Sequence, residues 1–88
     1  MTDDLVTLYS QPSCGPCFAT KRYLDKAGVP HVVVDIREDP AASAVLKRHG
    51  MTGTPAVIAT VACKKYAWQG HRPDQLEALA YLVTGSAA

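Results

Sequence analysis

The sequence predicts an α/β domain with elements in the order βαβαββα: a mixed four-stranded sheet with helices on both faces. Three observations carry that prediction. Short β-branched runs alternate with stretches of helical periodicity along most of the chain. Each helical stretch opens with a proline in its first turn (Pro16, Pro40, Pro73), and the first two stop at Gly28 and Gly50. The last two strand-like runs stand next to each other with only a tight turn between them, so a βαβ opening gives way to a hairpin.

Taken in order, Leu5 to Tyr9 alternates loosely and reads as a strand through Val6, Thr7 and Tyr9. The polar turn Ser10 to Ser13 follows, where Pro12 discourages helix before the first cysteine. From Cys14 to Ala27 the spacing is helical, with Cys17, Thr20, Leu24 and Ala27 on one stripe and Lys21, Arg22, Asp25 and Lys26 largely on the others. Pro30 lies just beyond the stop at Gly28. The second strand is expected over His31 to Ile36, and its continuous Val32-Val33-Val34 suggests burial on both faces, as in a parallel pair. Strand, helix and strand then make a right-handed βαβ unit. Asp39 caps a second helix with Pro40 at its first position, running through Val45 and Leu46 to His49. Met51 to Thr54 is a loop into Pro55. Ala56 to Val61 and Lys64 to Gln69 are two strands, with Tyr66 and Trp68 on one face of the second. A turn at Ala62-Cys63 joins them, although no Asn-Gly or Asp-Gly pair marks it. Gly70-His71-Arg72 turns into a last helix opened by Pro73-Asp74, whose apolar stripe is Leu76, Leu79, Ala80 and Val83. Gly85 to Ala88 is expected to fray.

Composition narrows the classes of function. The 88 residues suit one domain spanning 1–88, and 48% hydrophobic with 19% charged residues suits a globular one. Nine basic and eight acidic residues give a net charge of +1 with no basic stripe, which points away from nucleic acid. The longest apolar runs are far too short to cross a bilayer, so no membrane role is expected. Met1-Thr2-Asp3-Asp4 lacks the basic start and apolar stretch of a secretory signal, and the expected location is the cytoplasm. Three cysteines in that reducing setting argue for redox chemistry or metal binding over a structural disulfide framework.

The chemistry centres on Ser10-Gln11-Pro12-Ser13-Cys14-Gly15-Pro16-Cys17. Two cysteines three apart at the start of a helix share one face and can close a small disulfide ring. Cys14 sits at the helix mouth, where unpaired N–H groups and the positive end of the dipole favour a thiolate. Cys17 lies a turn deeper and faces the protein body. Cys14 therefore attacks a partner disulfide and Cys17 resolves the mixed disulfide. The helix mouth alone supplies little rate. Lowering a thiol pKa from about 8.5 to about 7 raises the thiolate fraction about fifteenfold at pH 7, and the lower basicity takes back about fivefold. Docking of the partner must supply most of the rest. Pro16 in the first turn loses no needed hydrogen bond and stiffens the pair. The competing use of a Cys-x-x-Cys pair is half a zinc site, but Cys63, His71, His49 and His31 have no metal-knuckle spacing.

Pro-x-Cys-x-x-Cys followed by Thr20-Lys21-Arg22, the pair Thr54-Pro55, and Trp68-Gln69-Gly70-His71-Arg72-Pro73-Asp74 together resemble the thioredoxin superfamily, and within it the NrdH-redoxins. The last stretch is similar to the family's Trp-Ser-Gly-Phe-Arg-Pro-Asp signature. The resemblance covers nearly the whole chain. It implies a thioredoxin-like fold in its minimal, glutaredoxin-sized form, and a dithiol reductant that takes electrons from thioredoxin reductase and passes them to class Ib ribonucleotide reductase. It also implies a monomer whose redox centre is the Cys14–Cys17 disulfide, with no other cofactor. Thr54-Pro55, which on its own reads as a strand start, would then be a cis peptide presenting the Thr54 backbone to an extended partner segment beside Cys14. The partner-binding residues it implies are Gln11, Pro12, Ser13, Gly15, Pro16, Thr54, Pro55, Trp68, Gly70, Arg72, Pro73 and Asp74.

The chain departs from the family pattern at four places. Cys14-Gly15-Pro16-Cys17 copies the thioredoxin motif where NrdH-redoxins commonly have Cys-Val-Gln-Cys. Gln11 stands where these proteins and glutaredoxins commonly carry lysine, and Gln69 and His71 replace the signature Ser and Phe. A glutathione- or other low-molecular-thiol-dependent glutaredoxin is the alternative reading. It is disfavoured because Gln11 removes a cation and Arg72-Pro73-Asp74 replaces the acidic pair that opens the last glutaredoxin helix, although Lys21 or Arg22 can supply charge. A metal or iron–sulfur carrier using Cys14 across a dimer is the other, opposed by Pro16 and the second cysteine.

Several residues keep a structural reading beside a functional one. Trp68 either flanks the docking site or packs on the sheet. Arg72 and Asp74 suit a local hydrogen-bond network, with Asp74 a first-turn helix acid. Cys63 suits a small core or hairpin residue, with a regulatory thiol as the alternative. His49 suits a helix C-terminus, His31 a strand edge, and Tyr9 a sheet position near the site.

Overall fold

The computed structural model describes residues 4–85. The element order is β1 (Leu5–Ser10), α1 (Gly15–Lys26), β2 (Val32–Asp35), α2 (Pro40–Arg48), β3 (Ala56–Val61), β4 (Lys64–Gln69) and α3 (Pro73–Thr84). The four strands form one sheet in the order β2-β1-β3-β4. β1 and β2 run parallel, with Thr7 opposite Val32 and Tyr9 opposite Val34. β1 and β3 are antiparallel, as are β3 and β4. The expected thioredoxin-like architecture is therefore the observed one.

Side-chain alternation along the strands divides the core between the two faces of the sheet. Val6 and Leu8 of β1, Val57, Ala59 and Val61 of β3, and Trp68 of β4 pack with Leu24 of α1 and with Leu76, Leu79 and Ala80 of α3. On the other face, Tyr9, Ala56 and Ile58 meet Leu46 of α2 and Met51. The apolar stripes read from the sequence are the buried ones: Cys17, Thr20 and Leu24 in α1, and Leu76, Leu79 and Ala80 in α3. Asp39 caps α2 by accepting the Ala41 N–H at 3.0 Å. His49 is the C-cap of that helix, its Nδ1 3.0 Å from the Val45 carbonyl oxygen.

The second strand differs from expectation. It is shorter, and Val32 and Val33 are 52% and 42% exposed. The reason is position. β2 lies at the edge of the sheet and pairs only with β1, so the parallel arrangement holds without helices covering both faces. At its start His31 is held off the strand, with Nδ1 2.8 Å from the Val29 carbonyl and Nε2 3.5 Å from Asp25.

The β3–β4 hairpin turns on Ala62 and Cys63 as expected, and both have positive φ, 51° and 67°. That is the backbone of a type I′ turn built without the residues that favour it. Cys63 is exposed there, which removes the core alternative for this thiol. Of the expected frayed tail, residues 86–88 lie outside the described residues. Among those described, no helix is long and apolar enough to cross a membrane.

Candidate redox site

The carboxyl end of β1 delivers the chain through Gln11, Pro12 and Ser13, all exposed, to the mouth of α1. Ser13 has φ of 61°, which turns the backbone so that Cys14 enters as the N-cap with extended geometry, φ −107° and ψ 101°. Gly15 and Pro16 then fill the first turn, where the missing proline N–H leaves no hydrogen bond unmade. Cys14 and Cys17 are joined in a disulfide with their Cα atoms 5.2 Å apart.

The two sulfurs stand in different surroundings. Cys17 is 2% exposed, enclosed on the core side of α1, whereas Cys14 is only partly buried. Cys14 Sγ accepts a hydrogen bond from the Cys17 backbone N–H at 3.2 Å, and the Thr54 hydroxyl donates to it at 3.8 Å. Donors aimed at one sulfur favour negative charge there once the disulfide is reduced. Gly15 and Pro16 are exposed, and a Cβ placed on Gly15 would meet nothing within 4 Å, so the link between the cysteines lies at the surface.

Thr54 precedes Pro55 through a cis peptide bond. The Pro55 carbonyl accepts the Gly70 N–H at 2.7 Å, and Gln69 Oε1 accepts the Thr52 N–H at 3.1 Å. The loop 51–55 and the loop 69–72 are thus tied together beside the disulfide. Arg72 donates to Asp74 from Nε at 3.2 Å and from Nη2 at 3.0 Å. This guanidinium holds the Asp74 carboxyl below its ordinary value. The same loop is tied to α1, because His71 Nδ1 lies 2.9 Å from the hydroxyl of the fully buried Thr20.

Residues 6–60, which carry both the Cys-x-x-Cys pair and the cis-proline loop, match the glutaredoxin family. The chain belongs to the glutaredoxin family, on its NrdH-redoxin branch. It is 31% identical over 74 residues to the glutaredoxin-like protein NrdH of Escherichia coli K12, covering 84% of this chain and 86% of that one. It is also 31% identical over 81 residues to the gene 56 protein of Mycobacterium phage D29, covering 92% and 88% of the two chains. The solved structure of NrdH-redoxin from Escherichia coli, a protein described as having a thioredoxin-like activity profile, superposes with a TM-score of 0.76 over 84% of this chain and 92% of that one. This NrdH-type redoxin is a thiol–disulfide oxidoreductase that carries a Cys14–Cys17 disulfide.

Of the residues singled out in the sequence, Cys14, Cys17 and Thr54 meet directly, and Pro55 and Gly70 are bonded behind them. Arg72 and Asp74 form their own pair, and Pro73 starts α3. Trp68 is placed elsewhere: it is 7% exposed in the core under α1 and α3, which selects its sheet-packing reading over a partner contact. Its Nε1 is buried without a hydrogen-bond partner among the described residues. Lys21, considered as an alternative cation for glutathione, is paired with Asp25 at 2.8 Å. The four candidates for a second half of a zinc site are scattered among the hairpin turn, the end of α2, the start of β2 and the loop before α3. Four residues near the site drew no redox role from the sequence. Thr20 and His71 face each other across 51 positions, a distance that periodicity does not reach. Gln69 stood out only as a departure from the signature. Phe18, 67% exposed one turn below Cys14, was legible as an apolar residue lying off the buried stripe of α1.

Proposed function

We propose that this redoxin is a two-electron donor in which reduced Cys14 attacks and Cys17 resolves, serving class Ib ribonucleotide reductase in the cytoplasm and recharged by thioredoxin reductase. The observation that carries the division of labour is the unequal surroundings of the two sulfurs, Cys14 partly open with two donors upon it and Cys17 2% exposed. In the first step the Cys14 thiolate bonds to one sulfur of the partner disulfide, and the other partner sulfur leaves as a thiolate and takes a proton. In the second the Cys17 thiol gives up its proton and bonds to Cys14 Sγ, and the remaining partner sulfur leaves reduced. Two electrons pass to the partner, and the Cys14–Cys17 disulfide remains for the reductase to reopen.

The choice of partner rests on the family and on the site's charges. Gln11 supplies no cation before the motif, Lys21 pairs with Asp25 and Arg72 with Asp74, so of the cations weighed for glutathione carboxylates only the exposed Arg22 is without an ion pair among the described residues, a poorer cradle than a glutaredoxin offers. The surface around the disulfide, with exposed Pro12, Ser13, Gly15 and Pro16 and the Thr54 backbone beside it, suits an extended segment of a macromolecule. The deciding experiment runs insulin reduction in parallel with NADPH plus thioredoxin reductase and with glutathione plus glutathione reductase. Turnover in the first system is the expected result. Turnover confined to the second would overturn the assignment of the reductase.

A further inference from the structure

The loop between β4 and α3, residues 70–72, is bonded on both sides of the disulfide, through Gln69 at the end of β4 and His71 within the loop. Gln69 Oε1 takes the Thr52 N–H at 3.1 Å and so binds the loop to the segment that carries Thr54 and Pro55. His71 Nδ1 stands 2.9 Å from Thr20 Oγ1 and so binds it to α1. Thr20 is three positions after Cys17 and therefore on the same helical stripe; both are buried. The backbone bond from Gly70 N–H to the Pro55 carbonyl at 2.7 Å lies between these two clasps. The ring of His71 itself is exposed. An exposed ring holding a fully buried hydroxyl closes the loop over α1 and satisfies a polar group that burial would otherwise leave costly.

We infer that Gln69 and His71 are positioning residues for the dithiol–disulfide reaction, clasping the loop 70–72 to the two segments that hold Cys14 and thereby setting how well a protein partner docks. The inference rests on the proposed function, since docking matters only if a macromolecular disulfide is the substrate. Neither residue touches the reacting sulfurs. Their effect runs through the loop, which sets the far wall of the surface that an extended partner must lie against. A small disulfide reaches Cys14 without touching that wall.

The test compares His71→Phe and Thr20→Val, which remove either half of the clasp, with His71→Asn and Thr20→Ser, which keep a polar atom in reach. Gln69→Ala tests the other side. Each is assayed with insulin under dithiothreitol, and with an aromatic small-molecule disulfide in a single turnover of the pre-reduced protein with no free dithiol present, so that the reductase plays no part in either. The expected result is a KM for insulin raised about fivefold to tenfold in His71→Phe, Thr20→Val and Gln69→Ala, with kcat within about twofold. His71→Asn and Thr20→Ser should recover most of the loss, and Thr20→Val with His71→Phe together should cost no more than either alone. Insulin kinetics that do not change in any variant, or losses that are equal for insulin and the small disulfide, would overturn the inference while leaving the proposed function standing. Amide exchange supplies the second readout: the Gly70 and His71 amides should exchange faster in Thr20→Val and His71→Phe than in Thr20→Ser and His71→Asn. If the wild type reduced neither disulfide, the proposed function would fall, and the exchange rates would still decide whether the clasp exists.

Discussion

Cys14 and Cys17 differ in access more than in chemistry, and substitution separates their roles. Cys14→Ser removes the attacking sulfur and should abolish disulfide reduction, a loss of at least about a hundredfold. Cys17→Ser should still attack but not resolve, leaving a mixed disulfide with the partner that mass spectrometry detects in the absence of reductant. Recovery of a mixed disulfide from the Cys14→Ser protein instead would reverse the assignment. Away from the sulfurs, the Arg72 hydrogen bonds depress Asp74 below its ordinary 3.8. A carboxyl depressed in the folded state contributes stability that is full above the unfolded value and is lost as pH falls through the folded one. Asp74→Asn should therefore lower Tm slightly near neutrality, and the gap to wild type should close as pH is taken below 3.8. The effect is small because both partners are solvated.

At the scale of elements, the β3–β4 turn carries a local conflict. Ala62 and Cys63 hold φ of 51° and 67°, a region that costs an L-residue about 1–2 kcal/mol. Asn and Gly relieve that cost, so Ala62→Asn with Cys63→Gly should raise Tm by several degrees in a thermal melt, about 4–8 °C for each kcal/mol gained. Asp39→Ala acts in the other direction and should cost α2 about 1 kcal/mol through the lost bond to the Ala41 N–H. These elements also show why some boundaries could be read and others not. β3 and β4 matched the sequence residue for residue, because proline before the one and a two-residue turn between them leave little choice. The three valines of β2 carried a strand signal with no information about neighbours. Whether a strand is central or at the edge is settled by pairing elsewhere, and here only β1 pairs with it.

For the molecule as a whole, the sheet and α1 were legible because their signals are local, and so was the redox pair that joins them. The rest of the site is assembled by contacts between distant segments. Thr54 reaches Cys14 across 40 positions, and Thr52 reaches Gln69 across 17. Only the resemblance to a family pointed at Thr54, and nothing in the sequence pointed at the partnership of Thr20 with His71. Such contacts need the core that brings α1 and α3 onto one face of the sheet. Leu24 has no exposed surface and packs in that core. Leu24→Ala should cost about 2–5 kcal/mol in denaturant unfolding, a large share of the roughly 5–15 kcal/mol that a small domain holds.

The enclosed Trp68 has a practical consequence, because it is the chain's one tryptophan. An indole 7% exposed among aliphatic side chains, with its N–H unpaired among the described residues, sits in an apolar solvent of the protein's own making. Its fluorescence emission should be blue-shifted in the native state, poorly quenched by acrylamide, and red-shifted on unfolding. The chain thus carries an intrinsic optical reporter in the core beneath α1 and α3. That reporter lies one residue before Gln69, so the same signal can follow the core and the start of the clasped loop without a label.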